Sequence, residues 1–337
     1  MFTVLLLFSG SAAAGQNKSC CKITPSSRLN FIATAHAAQA SGPPGMVWIP
    51  GGEFTMGTDE EEAYPVERPA HREKVGGFWI DQTEVTNEEF RKFVEATGYV
   101  TIAERPVDWE ELKKQVPPGT PRPPDEMLKP GSLVFSPPNG PVSLNDLSAW
   151  WAWTIGANWR HPEGPGSTIR GKDDRPVVHV SYDDAAAYAK WAGKRLPTEA
   201  EWEFAARGGL EAKRYAWGDE FQPKGEWMAN TFQGNFPNED TGEDNFKGVA
   251  PVKKFEPNGY SLHDIIGNVW EWTSDEFQDP LEPLVPKRVT KGGSFLCNSQ
   301  YCTNYRPSAR RGTGFDSGSS NVGFRCVKTL SANEKGE

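Results

Sequence analysis

Gly193-Lys194-Arg195-Leu196-Pro197-Thr198-Glu199-Ala200-Glu201-Trp202-Glu203 lies near the middle of a 337-residue chain. Thr198 with Glu201 three residues later forms a capping box, in which each side chain accepts a backbone N–H at the start of a helix. Pro197 and Thr198 therefore open a helix, and Gly208-Gly209 closes it. Two more helices are written the same way. Thr86-Asn87-Glu88-Glu89 begins one, Phe90, Phe93 and Val94 give it an apolar stripe, and Gly98 ends it. Ser181 caps another that runs through Ala185, Tyr188 and Trp191 to Gly193. From Met46 onward the remaining sequence reads as short strands and loops. The Pro-rich stretch 105–175, with Pro117-Pro118 and Pro137-Pro138, reads as functional surface.

Composition agrees with a loop-rich fold. With 34 Gly, 28 Pro and 37% hydrophobic residues, the chain is long enough for one large domain or two small ones but should hold few long helices. The 13 tryptophans supply rigid apolar bodies that can build a core where regular elements are scarce. A net charge of -9 argues against nonspecific nucleic-acid binding, which needs a basic surface. Arg306, Arg310, Arg311 and Arg325 form a local basic exception.

That exception sits beside Gly292-Gly293-Ser294-Phe295-Leu296-Cys297-Asn298-Ser299-Gln300-Tyr301-Cys302. A helix would rotate the second cysteine by roughly 140° from the first, and a strand would place the two on opposite faces. The segment must turn back on itself, as Asn298-Ser299-Gln300 permits. The pair is then either a small-loop disulfide or a two-thiolate clamp for a soft ion such as Cu(I). Zinc would want four ligands.

The N-terminus has the features of an export signal. Residues 2–8 form a short apolar run and Ser11-Ala12-Ala13-Ala14 offers a small-residue cleavage site, although no Lys or Arg precedes the run. The run is too short to span a bilayer. A second alanine-rich stretch, 33–40, delays the folded domain to about Met46, and Cys20 and Cys21 fall in the tail. Asn17-Lys18-Ser19 has the form of a glycosylation acceptor. The expected organisation is a signal-like segment and tail over 1–45, one folded domain over 46–328 and a polar tail over 329–337. The expected location is exported, periplasmic or in the secretory pathway, with cytoplasmic as the alternative.

Four segments together carry a family resemblance. Met46-Val47-Trp48-Ile49-Pro50-Gly51-Gly52-Glu53-Phe54, the central Gly193 to Glu203 run, Gly267-Asn268-Val269-Trp270-Glu271-Trp272 and Gly323-Phe324-Arg325 resemble the formylglycine-generating enzyme family, from about Met46 to Val327. Each alone marks only the wider sulfatase-modifying-factor superfamily. Gly156-Ala157-Asn158-Trp159-Arg160-His161-Pro162-Glu163-Gly164-Pro165 and the two cysteines in their Gly-Gly-Ser-Phe-Leu-Cys setting point to the formylglycine generators themselves. The resemblance implies a single loop-rich α+β domain, related to C-type lectins, with little regular structure.

The activity it implies is a copper-dependent, O2-using oxidation of a cysteine within a Cys-x-Pro-x-Arg sequence of a sulfatase to Cα-formylglycine, with a thiol reductant. By analogy Cys297 and Cys302 would hold Cu(I), and Ser294, Tyr301, Trp270 and Asn321 would line the pocket. Ser132, Asn158 and Trp159 would shape the peptide groove. Calcium is the second implied ligand. One site would draw on Asn230, Asp244 and the carbonyls of Thr231 and Phe246; the other on Asp264, Glu271 and the carbonyls of Gly267 and Val269. Mixed oxygen donors of this kind suit Ca²⁺. The expected protein is a monomer with no membrane span and no nucleic-acid partner.

The sequence departs from the family at several positions. Exported relatives commonly add two disulfides, but Ala189, Ala206 and Pro307 replace three of those four cysteines, leaving Cys326 as a lone buried thiol. Asn298 stands where His is usual and Gln300 where Ser is common. Asp264 replaces the expected amide and should tighten calcium binding. The alternative reading is a noncatalytic peptide- or carbohydrate-binding module of the same superfamily, with Cys297 and Cys302 as a plain disulfide. An iron-dependent sulfoxide synthase would need a histidine-rich site, and His36, His71, His161, His179 and His263 are scattered.

Overall fold

The computed structural model describes residues 42–329. The signal-like segment, the glycosylation sequence, Cys20, Cys21 and the last eight residues lie outside the described residues. Three helices of eight or more residues form at the capping boxes: α1 (Asn87–Thr97), α2 (Tyr182–Trp191) and α3 (Glu199–Ala206). Thr86, Ser181 and Thr198 each accept the N–H three residues on, and Glu89, Asp184 and Glu201 return the bond to the cap residue. Gly98 ends α1 with φ 68°, a left-handed conformation that glycine enters without a steric penalty. Thr198→Ala should cost ~1 kcal/mol, the usual loss for a removed N-cap, in a urea titration.

The described residues also hold thirteen short strands, besides a single-turn helix at Trp109–Leu112 and several 3-10 turns: β1 (Met46–Ile49), β2 (Gly52–Met56), β3 (His71–Val75), β4 (Phe78–Asp81), β5 (Gly131–Phe135), β6 (Trp151–Ile155), β7 (Gly234–Asn235), β8 (Glu239–Asp240), β9 (Trp270–Phe277), β10 (Lys287–Lys291), β11 (Arg310–Gly314), β12 (Val322–Gly323) and β13 (Val327–Thr329). They make a three-stranded sheet in the order β1-β4-β13, a four-stranded sheet in the order β11-β10-β9-β12, and three hairpins. The parallel pairing of β12 with β9 sets Val322 opposite Trp270 and brings Asn321 to the edge of that sheet. Within the Pro-rich stretch, β5 and β6 form one of the hairpins. Among the described residues no helix is long and apolar enough to cross a membrane.

Tryptophan does build the interior. Trp159, Trp202, Trp270 and Trp272 are fully buried in the main apolar cluster, and Trp150 centres a second one with Phe232, Phe236, Phe295 and Leu296. The cysteine run bridges the two, because Cys297 belongs to the first cluster and its neighbours Phe295 and Leu296 to the second. Cys326 is free and buried. The basic group is not a patch. Arg306 pairs with buried Glu67 at 2.6 Å, Arg310 with Glu199 at 2.7 Å and Arg325 with Glu271 at 2.7 Å, which leaves Arg311 exposed.

Candidate active site

Strand β10 delivers the cysteine run. Its last residue, Lys291, is buried with its ammonium 2.9 Å from Glu203 and 3.5 Å from Glu199, both on α3. The chain then leaves the sheet through Gly292 and Gly293, at φ 92° and 75°. A Cβ on Gly293 would lie 3.0 Å from the backbone of Asn304, so the two limbs of the loop pass with no room for a side chain. The reversal falls at Asn298, as the turn-forming residues required. Its Oδ1 accepts the N–H groups of Gln300 and Tyr301 at 3.1 and 3.0 Å, and its carbonyl accepts from Cys302 at 3.0 Å. Asparagine at this departure from the family therefore serves as the clamp of the turn.

The turn sets the Cα atoms of Cys297 and Cys302 4.7 Å apart with their sulfurs paired. Cys297 is 1% exposed, whereas Cys302 is half-buried and its sulfur faces the Asn304 amide at 3.3 Å. Ser294 lies buried at the root of the loop. Its Oγ accepts from Asn321 Nδ2 at 3.1 Å and from the Leu296 N–H at 3.3 Å, while its carbonyl accepts from Cys297 N at 2.9 Å. Asn321 also offers its carbonyl to Trp270 N at 2.9 Å. Tyr301 stacks on Phe236 at 4.8 Å and meets Trp150 edge-on at 5.5 Å. Burial raises its phenol pKa, against the opposing pull of Arg311. The Arg311 guanidinium is 6.0 Å from the buried Trp270 ring and has no side-chain partner among the described residues. Sequence reasoning grouped it with three paired arginines, and only long-range pairing separates it from them.

The structure thus brings Cys297, Cys302, Ser294, Asn321, Trp270 and Tyr301 into one neighbourhood. The three groove residues are placed differently. Trp159 is a core side chain, edge-on to Phe90 at 5.2 Å, and Ser132 is buried, so neither presents a surface to a peptide. Asn158 is half-buried and bridges His161 through its backbone, with its Oδ1 accepting from Arg160 N. Two cavities flank the loop. One of about 650 Å³ is bordered by Asn298, Gln300 and Thr303 and lined by Phe221, Trp227 and Tyr305. The other, of about 190 Å³, is bordered by Phe295, Ser320, Phe135 and Pro162.

The residues expected to hold calcium fall into two buried nodes. At the first, Asp244 accepts from Thr231 N at 3.1 Å, Phe246 N at 2.9 Å and Gln233 Nε2 at 2.8 Å, and the same Gln233 amide donates to the Thr231 carbonyl. Asn230 Nδ2 donates to Gly248 O and to Asn268 Oδ1. Gln233, missed in the sequence, occupies by hydrogen bonding two of the oxygens a cation would need, so this node does not fit the ion as arranged.

The second node is different. Glu271 accepts from Trp202 Nε1 and from two Arg325 nitrogens, all at 2.7 Å. Asp264 Oδ2 accepts from Lys253 N at 2.7 Å, but its Oδ1 is buried with no partner, and so is Oε2 of Glu84, 4.0 Å from Arg325. Three buried carboxylates face one guanidinium, a shortfall of two positive charges. Burial pushes Asp264 up to about 6, and burial with help from the Asp264 charge raises Glu84 well above the usual carboxylate range. Two orphaned oxygens and this charge deficit fit a divalent cation. Among the described residues no three His, Cys, Asp or Glu side chains already converge in ligating geometry.

Comparison with known proteins extends this geometry. Residues 32–330 match the family described as sulfatase-modifying factor enzyme 1-like domain. The chain is 46% identical to the formylglycine-generating enzyme of Mycobacterium tuberculosis over 84% of this chain and 97% of that protein. It is 47% identical to the formylglycine-generating enzyme of Mus musculus over 84% of this chain and 74% of that one. The solved structure of PvdO from Pseudomonas aeruginosa, 23% identical, covers 85% of this chain and 94% of its own with a TM-score of 0.55, and shows the shared fold.

Proposed function

The chain belongs to the sulfatase-modifying factor enzyme 1-like family, and from that premise we propose that it converts a cysteine of sulfatase polypeptides into formylglycine. The observation that carries the reading is the turn that pairs Cys297 with Cys302 above the Ser294–Asn321 hydrogen bond. Two facing sulfurs on a clamped turn form a donor set that suits Cu(I), which when bound would supply the activation of O2. The electron balance is complete with a thiol reductant. The substrate cysteine gives two electrons and two thiols give two, so that O2 yields water, the aldehyde, sulfide and a disulfide.

The chain's own residues then have distinct tasks. Cys297 and Cys302 would hold the ion, the second being the more exposed of the two. Ser294 and Asn321 set the height of the loop above the sheet. Tyr301 and Trp270 are apolar walls that keep water from the reacting carbon, and Tyr301 remains a neutral phenol. The proposed substrate sequence is Cys-x-Pro-x-Arg, and the proposed location is exported, on the apolar run 2–8. The competing reading is a binding module in which the paired sulfurs are a plain disulfide. Mass spectrometry of a Cys-x-Pro-x-Arg peptide after incubation with the Cu(I)-loaded protein, in air and without oxygen, decides between them. Oxygen-dependent aldehyde formation supports the enzyme, and an unmodified peptide supports the module.

Calcium enters at the Asp264 node. An acid whose folded pKa is raised to about 6 from 3.8 contributes stability below pH 4 that is lost as pH rises through 6. At pH 7 in calcium-free buffer its charge is a cost of roughly 2–3 kcal/mol. Asp264→Asn should therefore stabilise the calcium-free protein and diminish the rise in melting temperature on adding calcium. Melting curves with chelator and with millimolar calcium test this; a variant that gains as much from calcium as the parent excludes a contribution of the Asp264 charge to holding the ion.

A further inference from the structure

His179 has no part in the reaction proposed above, yet it is one of the most constrained residues in the molecule. It is fully buried with φ 60°, a left-handed conformation that a side chain other than glycine adopts at a cost. Its Nε2 lies 2.8 Å from the Pro162 carbonyl and its Nδ1 2.8 Å from Ser132 Oγ, while its backbone N–H donates to Ser319 O at 3.0 Å. Burial drives its pKa down to about 4, and no charged group lies among its partners, so the ring is neutral at pH 7.

The proton count fixes the tautomer. A carbonyl can only accept, so Nε2 carries the ring proton and Nδ1 must accept from Ser132. The single Ser132 hydroxyl proton also faces the Gly318 carbonyl at 2.8 Å. One proton thus serves two buried acceptors on different segments. The Gly318 backbone lies so close to His179 that an added Cβ would sit 2.5 Å from the His179 carbonyl carbon. Ser320 N donates to Leu133 O, and Phe135 N donates to Ser320 Oγ, each at 3.0 Å. Residues 318–320 are therefore lashed to β5 and His179 together. From there Ser319 Oγ donates to Asn321 Oδ1 at 2.8 Å, and Asn321 Nδ2 donates to Ser294 Oγ at the root of the cysteine loop.

We propose that His179 and Ser132 are positioning residues for the Cys297 loop, acting by fixing residues 318–321 so that Asn321 holds Ser294. The kinetic part rests on the loop being the reacting site. The structural part does not.

The test uses the full chain as wild type, Ser132→Ala, His179→Asn, Asn321→Ala and the Ser132→Ala/Asn321→Ala double variant. Asparagine tolerates positive φ and its Oδ1 can still accept from Ser132, so His179→Asn removes mainly the Pro162 bond. Hydrogen exchange by mass spectrometry should show amides in 318–322 exchanging about tenfold faster in Ser132→Ala, and less so in His179→Asn, with α1 unchanged. On the Cys-x-Pro-x-Arg peptide, kcat/KM should fall roughly 10- to 100-fold in Ser132→Ala, and that loss should vanish once Asn321 is alanine. Unchanged exchange in 318–322, or single losses that multiply in the double variant, overturns the proposal. Should Ser132→Ala fail to fold, the same exchange measurement on Ser132→Cys, which keeps the size of the side chain but donates only weakly, decides. A wild type that leaves the peptide unmodified while exchange responds as expected defeats the enzyme reading and leaves the tether standing.

Discussion

Cys297→Ser and Cys302→Ser are each expected to yield a folded protein that forms no aldehyde from the Cys-x-Pro-x-Arg peptide. Serine is nearly isosteric with cysteine, and the turn that places the pair is held by Asn298 Oδ1 and backbone bonds, none of which uses a sulfur. The fold should persist, because the contribution of Cys297 to the main cluster is one small side chain. A hydroxyl is a hard, neutral donor and cannot replace a thiolate toward Cu(I). The loss should exceed the roughly 10- to 100-fold that follows removal of a group that merely supports a metal ligand. Aldehyde yield by mass spectrometry, with far-ultraviolet circular dichroism as the folding control, is the measurement. Turnover retained in either variant would sink the assignment of the two sulfurs as the ion's holders.

Arg325→Met is expected to produce the largest loss of stability. The guanidinium is fully buried, donates twice to Glu271 and once each to the carbonyls of Asp81 and His263, and lies 4.0 Å from Glu84. Removing it leaves Glu271, Glu84 and Asp264 without a counter-charge in an apolar setting. Breaking a buried pair from one side costs ~3–5 kcal/mol. Urea unfolding in calcium-free buffer should show this, and added calcium should narrow the gap if the same carboxylates hold the ion. A loss below about 1 kcal/mol, the scale of a surface pair, would mean that water already reaches the node.

The parts legible in the sequence share one physical property: their signal is local. The capping boxes at Thr86, Ser181 and Thr198 close hydrogen bonds over three residues, so composition and spacing suffice to place α1, α2 and α3. The turn at Asn298 is local as well, since two cysteines five positions apart leave the chain no regular element that joins them. Family resemblance assembled the neighbourhood of Ser294, Trp270 and Asn321 from segments far apart in the chain, and no periodicity could have done so.

Other features follow from pairings across some fifty residues or more. Ser132 and Trp159 look like surface groups in a Pro-rich stretch, yet β5 pairing with residues 318–320 and the packing of α1 bury them. Four clustered arginines read as a basic patch, but Glu67, Glu199 and Glu271 approach from elsewhere and leave only Arg311 free among the described residues. Glu84 joins Asp264 only because Arg325 and Asn268 draw β4, β9 and the chain's end together. Sequence alone determined the helix boundaries, the turn and the family, because hydrogen bonds over a few residues and the runs that carry the family resemblance are written consecutively. Tertiary structure alone decided which charges are paired, which oxygens are orphaned and which side chains can touch a substrate, because burial and ion pairing depend on where distant segments meet.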